Sequence, residues 1–187
     1  MKRVVLIGDS IRLAGYGAAV QKRLSGDFDV WQSDENARYV QYTLRCVFDW
    51  EEQLRGADVI HWNNGLWDVS NLYGDGEFTP PQQYLSGILR LARLFSARAR
   101  KVIFATTTPI WPGYRYKSNE DIDRYNALVV PPLKEMGVVI NDLNAVLRAD
   151  IQGCITETDG IHLSEKGIRL CADAVEDCIR KTAASID

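Results

Sequence analysis

The chain has 187 residues, 46% of them hydrophobic, and we expect one domain over residues 1–187 that buries its own core. A formal net charge of −3, from 22 basic and 25 acidic side chains, provides no positive field to hold nucleic acid or an anionic membrane surface. No apolar stretch approaches the roughly 18 residues of a membrane-spanning helix, and the run from Val4 to Ile7 is too short for a secretion signal, so we expect a soluble, cytoplasmic protein.

Short β-branched runs alternate along the chain with longer segments of helical period. The runs typical of buried parallel strands are residues 4–7, 29–31, 59–62, 102–105 and 138–140. Apolar residues recur three and four apart in the other segments, which predicts helices over residues 13–25, 38–55, 81–98, 119–135 and 164–183. Strand and helix alternating five times predict a doubly wound α/β domain.

The first predicted strand is followed at once by Gly8-Asp9-Ser10. Ligands of doubly wound sheets bind at the carboxyl ends of the strands, so Ser10 stands where chemistry is expected. A helix begins close behind it, and the free N–H groups and dipole of a helix N-terminus stabilise negative charge beside a serine oxygen. The alternative interpretation is that Ser10 or Asp9 only caps that helix.

The chain has two histidines, and a serine nucleophile needs a base that titrates near neutral pH. His61 lies inside the third predicted strand, where we expect a core residue. His162 precedes the last helix, for which Ser164 is a natural N-cap. Asp159, three residues before His162, can fold back so that its carboxylate accepts the imidazole Nδ1–H. The alternative is an Asp-Gly turn followed by a surface histidine.

Two asparagines, Asn63 and Asn64, follow the third predicted strand. Acyl transfer places negative charge on the carbonyl oxygen, and that charge needs hydrogen-bond donors. An asparagine amide at this strand end can point at the oxygen together with the Ser10 backbone N–H. The alternative is that Asn63-Asn64-Gly65 only forms a turn.

Three segments, Ile7-Gly8-Asp9-Ser10, Asn63-Asn64-Gly65 and Asp159-Gly160-Ile161-His162, together resemble the sequence blocks of the SGNH (GDSL-like) hydrolases over nearly the whole chain. The resemblance implies a three-layer flavodoxin-like fold with strand order 2-1-3-4-5. It also implies ester hydrolysis through an acyl-enzyme without a metal, with Ser10 as nucleophile, His162 as base and Asp159 orienting that base. Within the family the chain looks most similar to carbohydrate acetylesterases.

The chain departs from the family pattern in two places. No glycine lies between Gly26 and Gly56, where the family has its second block, so another residue must supply that oxyanion donor; Asn36 is the best placed. The third block is shifted by one residue, which favours Asn63 as the oxyanion asparagine and leaves Asn64 open.

Aromatic residues are dense in the loops that follow the strands, and we expect Asp9, Trp62, Trp67 and Trp111 to contact substrate. Aromatic rings stack on the apolar face of a sugar, which favours a small acetylated carbohydrate as substrate. These rings also suit loop packing or a homo-oligomer interface.

Two other functions remain open: acyl hydrolysis of a lipid or thioester by the same fold, and a non-catalytic domain that binds an anion at the helix end beside Ser10. No histidine pair or cysteine cluster has the spacing of metal ligands, and we expect no metal and no cofactor. The four cysteines have no CxxC pair, which is typical of buried free thiols.

Overall fold

A five-stranded parallel sheet forms the centre of the protein, in a computed structural model that describes all 187 residues. Its strands are β1 (Lys2–Ile7), β2 (Phe28–Gln32), β3 (Ala57–Asn63), β4 (Ala99–Ala105) and β5 (Val139–Asn141). Their order is β2-β1-β3-β4-β5, which confirms the predicted doubly wound sheet and its 2-1-3-4-5 order. The last four residues of β1 are fully buried, as their continuous apolar run predicts for a strand covered on both faces.

Helices cover both faces of the sheet. Their bounds are α1 (Gly17–Leu24), α2 (Val40–Asp49), α3 (Glu51–Leu54), α4 (Pro81–Ser96), α5 (Asn119–Glu135), α6 (Leu143–Arg148), α7 (Ile151–Cys154) and α8 (Glu165–Ala184). Helices α1 and α8 pack together on one face, and α2, α4 and α5 form a row on the other. The two sides enclose one cluster of 46 buried apolar residues, so the molecule has three layers.

Helix ends agree with the local sequence at two long helices. Ser118 and Asp121 form a reciprocal capping box at the start of α5, and the Ser164 side chain accepts the backbone N–H of Gly167 at the start of α8. These caps satisfy backbone donors that no helical partner reaches, which explains why both helices begin as predicted.

Two predicted helices differ in detail. The segment 38–55 contains two helices that are separated at Trp50, whose backbone (φ −101°, ψ 21°) is not helical. The Trp50 ring packs edge-on against Trp31, with ring centroids 5.9 Å apart, a contact that the periodicity of the segment does not reveal. The first predicted helix begins earlier than expected, with a wide turn over Ile11–Tyr16 that is kinked at Gly15 (φ −112°, ψ −111°) and leads into α1.

The short helices α6 and α7 were not predicted, because six and four residues are too few to show a period. The side chains of Asp142 and Asp150 cap them, each accepting a backbone N–H three residues ahead. All four cysteines are free thiols. None of the helices combines the length and the apolar composition needed to cross a bilayer.

Candidate active site

The predicted site residues meet at the carboxyl edge of the sheet. Ser10 follows β1, Asn36 follows β2, and Asn63 ends β3, and β1 lies between the other two strands. His162 arrives from the turn that precedes α8. Ser10, Asn36 and His162 line one cavity of about 250 Å³. Parallel strands with a shared direction therefore bring together residues that are far apart in the sequence.

Ser10 does not act as a helix cap. Its backbone is already helical (φ −64°, ψ −21°), and its hydroxyl makes no capping hydrogen bond. Asp9 has that role instead, because its Oδ1 accepts the backbone N–H of Ile11 at 2.9 Å. The Ser10 side chain is half-buried and faces the cavity.

Asp159 and His162 form a direct pair, with 2.7 Å between Asp159 Oδ2 and His162 Nδ1. Asp159 Oδ1 accepts the backbone N–H groups of Ile161 and His162 and the hydroxyl of Thr156, each at 2.9 Å. Burial by itself raises the pKa of Asp159, but these hydrogen bonds together hold it well below its usual range. The ionised carboxylate therefore favours the tautomer that carries its proton on Nδ1 and leaves Nε2 free to accept one.

The turn that carries His162 has a defined geometry. Gly160 adopts a left-handed backbone (φ +70°), and a Cβ there would lie 3.0 Å from the Tyr114 ring, so glycine suits this position twice over. An antiparallel bridge between Ile155 and Leu163 closes the base of the turn. The imidazole thus projects from a segment that is pinned at both ends.

Asn63 belongs to a buried hydrogen-bonded group beneath the Ser10 turn. Its Nδ2 donates to Asp9 Oδ1 at 2.7 Å, and its Oδ1 accepts the Tyr16 hydroxyl at 3.1 Å. These two partners fix the orientation of the amide and leave one of its two N–H hydrogens free. The amide packs so close that a Cβ on Gly8 would lie 1.9 Å from Asn63 Oδ1. Burial, despite the bond from Asn63, raises the pKa of Asp9.

Asn64 points in another direction. Its Nδ2 donates to Thr43 Oγ1 at 2.8 Å and to the Arg38 carbonyl at 3.2 Å, so both amide hydrogens are used. The side chain is fully buried and fastens the end of β3 to the start of α2. Of the two asparagines, Asn63 alone keeps a free amide hydrogen beside the Gly8-Asp9 turn.

Asn36 lines the cavity, and a residue that the sequence analysis did not consider holds its loop in place. The fully buried guanidinium of Arg12 donates to the carbonyls of Ser33 and Glu35 and, at 3.4 Å, to that of Gly8. Burial lowers the pKa of Arg12. This side chain ties the loop after β2 to the turn that precedes the serine.

His61 is confirmed as a core residue. It is fully buried, its Nε2 lies 3.2 Å from Asn141 Nδ2, and its ring meets Tyr16 edge-on. Burial lowers the pKa of His61 to about 3, so it stays neutral and takes no part in proton transfer near neutral pH.

The expected substrate contacts divide into three cases. Trp62 is fully buried between Phe95 and Phe104, so the prediction that it contacts substrate is wrong. From its position on β3 the ring points into the core and not toward the cavity at the carboxyl end of the sheet. Asp9 is likewise enclosed, with 1% of its surface exposed, so it has no open surface through which to contact a substrate. Trp67 is 41% exposed and lines the cavity, and Trp111 borders the adjoining surface.

Five further residues line the cavity without a sequence motif that marks them. They lie in the loops after β3 and β4 and in the turn before α8: Leu66, Ser70, Leu72, Lys117 and Ile161. Both loops continue well past the strand ends, up to α4 and α5, so residues far from the strand ends also line the cavity.

No protein-family model and no curated protein matches the sequence. Solved structures match it over nearly its whole length. The acetyl xylan esterase AlAXEase is 19% identical over 95% of this chain and 99% of its own, with a TM-score of 0.78. Axe2, an acetylxylan esterase from Geobacillus stearothermophilus, is 17% identical over 95% of this chain and 94% of its own, also with a TM-score of 0.78. A Bacteroides fragilis protein is 19% identical over 97% and 88%, with a TM-score of 0.75.

These TM-scores show a shared fold, and they confirm at that level the expected likeness to carbohydrate acetylesterases. Catalytic mutants of Axe2 replace a serine, an aspartate and a histidine, and that aspartate precedes the histidine by three positions.

Proposed function

We propose that this protein is a serine esterase of the SGNH hydrolase type that hydrolyses acetyl esters of a carbohydrate. The observation that supports this best is the 2.7 Å pair between Asp159 and His162 at a cavity that Ser10 also lines. The same spacing of aspartate and histidine occurs among the residues replaced in the catalytic mutants of Axe2, whose fold this chain shares.

In the acylation step, His162 Nε2 takes the Ser10 hydroxyl proton as Oγ attacks the ester carbonyl carbon. Asp159 keeps the Nδ1–H directed at itself and stabilises the imidazolium that forms. The tetrahedral intermediate then collapses: the bond to the alcohol oxygen breaks, and His162 returns its proton to that oxygen. The alcohol leaves, and the acetyl group stays on Ser10.

In the second step, water replaces the alcohol. His162 takes one proton from the water as its oxygen attacks the acetyl carbon, and then gives that proton to Ser10 Oγ as the acyl bond breaks. Acetate leaves. In both steps the negative oxygen is held by the backbone N–H of Ser10, the free amide hydrogen of Asn63 and a donor from Asn36.

The cavity suits a small acyl group with a polar acceptor. At about 250 Å³ it lies below the range of about 300–1,000 Å³ typical of sites for drug-sized ligands. Trp67, at its mouth, offers an exposed ring on which a sugar can stack. A longer acyl chain is the second candidate, favoured by the apolar side chains of Leu66, Leu72 and Ile161 in the cavity wall.

The first test is p-nitrophenyl acetate hydrolysis by the parent protein, Ser10→Ala and a matched control, Ser185→Ala, whose serine is exposed at the end of α8. We expect activity in the parent and in the control and none above background in Ser10→Ala. Butyrate and octanoate esters distinguish the acyl length: a steep fall from acetate supports an acetylesterase, and a rise supports the lipid or thioester alternative.

Activity that survives in Ser10→Ala, or that is absent from a folded parent protein, overturns the proposal. The remaining hypothesis is then an anion-binding domain without catalysis, which binding measurements with anionic ligands would test.

A further inference from the structure

Lys117 places an ammonium group in the wall of the cavity. Its side chain reaches from the segment before α5 to the loop after β3, where Nζ donates to the Leu66 carbonyl at 2.6 Å and to Ser70 Oγ at 2.8 Å. Nζ also lies 5.4 Å from the centre of the Tyr114 ring. All of these neighbours line the same cavity as Ser10, so the charge itself, and not only the apolar stem, borders the space for substrate.

This positive charge has no ion-pair partner. No carboxylate lines the cavity, and the acid that acts on Lys117, Asp9, is enclosed beneath the Ser10 turn. By contrast, Lys166 on the surface pairs with Asp150 at 2.6 Å. Desolvation lowers the pKa of Lys117 to about 8. Two of the three ammonium hydrogens are used, and the third has no partner in the protein.

A partly buried charge that lacks a counter-ion is unfavourable, and a ligand of opposite charge relieves that cost. We propose that Lys117 makes this cavity selective for esters that also carry a carboxylate, which its ammonium group binds while Ser10 attacks the ester carbon. This inference rests on the proposed function and specifies its substrate class as acidic esters, such as an acetylated sugar acid.

In an acetyl ester the carboxylate belongs to the alcohol part, whereas a carboxylate in the acyl part would mean an acyl group other than acetyl. Two pairs of substrates separate these cases. For the alcohol part, 4-acetoxybenzoate is compared with its uncharged methyl ester. For the acyl part, monophenyl succinate is compared with phenyl butyrate. The quantity measured is the ratio of kcat/KM for the charged ester to that for the neutral one. Comparing this ratio between the parent protein and a variant cancels the intrinsic reactivities of the esters.

In Lys117→Met we expect that ratio to fall between about 10-fold and 100-fold in one of the two pairs, as is typical for the loss of a hydrogen bond between charged groups. The pair that changes identifies the part of the ester that carries the carboxylate, and the change is expected in KM rather than kcat. Lys117→Arg restores part of the ratio. The control, Lys181→Met, removes an exposed lysine on α8 and keeps the parent ratio.

Two further measurements keep the inference testable if Lys117→Met misfolds or the parent cleaves no ester. In the parent, the ratio should be lost as the pH rises through about 8, because the ammonium loses its proton there while the substrate carboxylate stays ionised. Asp9 acts on the charge of Lys117, Tyr114 contacts it and His162 lines the same cavity, and the ratio between matched esters cancels the common effects of these groups.

Binding of 4-acetoxybenzoate and its methyl ester to Ser10→Ala, with and without Lys117→Met, gives the same comparison by calorimetry without turnover. Equal ratios in the parent and in Lys117→Met for both pairs, or equal binding of the charged and neutral esters, overturns the inference. An inactive parent that still binds the charged ester more tightly rejects the proposed function and retains the carboxylate site.

Discussion

Two regions beside Ser10 use the same residue types in opposite ways. The buried polar layer, formed by Asp9, Tyr16, His61 and Asn63, lies beneath the serine turn and is almost fully enclosed. The surface turn, residues 156–162, carries Asp159 and His162 with 46% and 40% of their side chains exposed. Each region has one aspartate and one histidine, yet only the surface turn joins them directly.

Burial explains why the two regions differ chemically. In the buried polar layer, desolvation raises the pKa of Asp9 and lowers that of His61 to about 3, so burial disfavours the charged form of both groups. In the surface turn, hydrogen bonds hold the pKa of Asp159 well below its usual range. A histidine that exchanges protons needs a charged partner and access to solvent, and the surface turn supplies both. The buried layer serves instead to orient the Asn63 amide.

The largest effect should separate the two histidines, which we expect to differ in whether their loss lowers the rate or the stability. His162→Ala removes the proposed base, and we expect kcat for p-nitrophenyl acetate to fall by on the order of 10⁴-fold with little change in the melting temperature. His61→Gln keeps an acceptor, its amide oxygen, for the Asn141 Nδ2–H group but loses the ring contact with Tyr16, so we expect it to lower the melting temperature and to keep kcat within about tenfold.

Thermal melting and initial rates on both variants check this comparison. If His162→Ala retains its rate, or if a folded His61→Gln protein loses it, the assignment of proton transfer to the surface turn is wrong.

A smaller effect should separate the two asparagines. Asn63→Ala removes a proposed oxyanion donor, and we expect kcat to fall by on the order of 10²-fold to 10³-fold. Asn64→Ala leaves Thr43 and the Arg38 carbonyl without their donor, so it should cost about 1–3 kcal/mol of stability and change kcat only a few-fold. Steady-state rates and urea unfolding of both proteins measure this, and the opposite pattern would reassign the donor to Asn64.

The smallest effect concerns a second buried carboxylate. Asp68 is fully enclosed, its Oδ1 accepts the Val40 N–H at 3.1 Å, and its Oδ2 has no partner. Burial raises its pKa to about 6, so the folded state holds a proton that the unfolded chain releases near pH 4. Stability should therefore fall as the pH rises from about 4 to about 6, by at most about 3 kcal/mol.

Asp68→Asn has no such titration, so its stability relative to the parent should increase across that window. Urea unfolding at pH 4, 5, 6 and 7 measures the difference. Parallel pH profiles for the two proteins would show that the Asp68 carboxyl is not perturbed.

Short-range features could be predicted from the sequence. Each strand contains a short apolar run, and the long helices have clear periods, so their existence follows from local pattern. The contact between Asp159 and His162 is also local, because only Gly160, which forms the turn, and Ile161 lie between them. The division of segment 38–55 at Trp50 could not be predicted, because it accompanies packing of the Trp50 ring against Trp31 on β2.

The sequence by itself determined the doubly wound fold and the segments that hold the proposed nucleophile, base and orienting carboxylate. Only the tertiary structure decided that Trp62 belongs to the core, that Arg12 holds the loop of Asn36, and that the charge of Lys117 borders the cavity. The physical reason is distance along the chain. Lys117 meets Leu66 across 51 residues, and nothing local in either segment indicates which partner the folded sheet will bring to it.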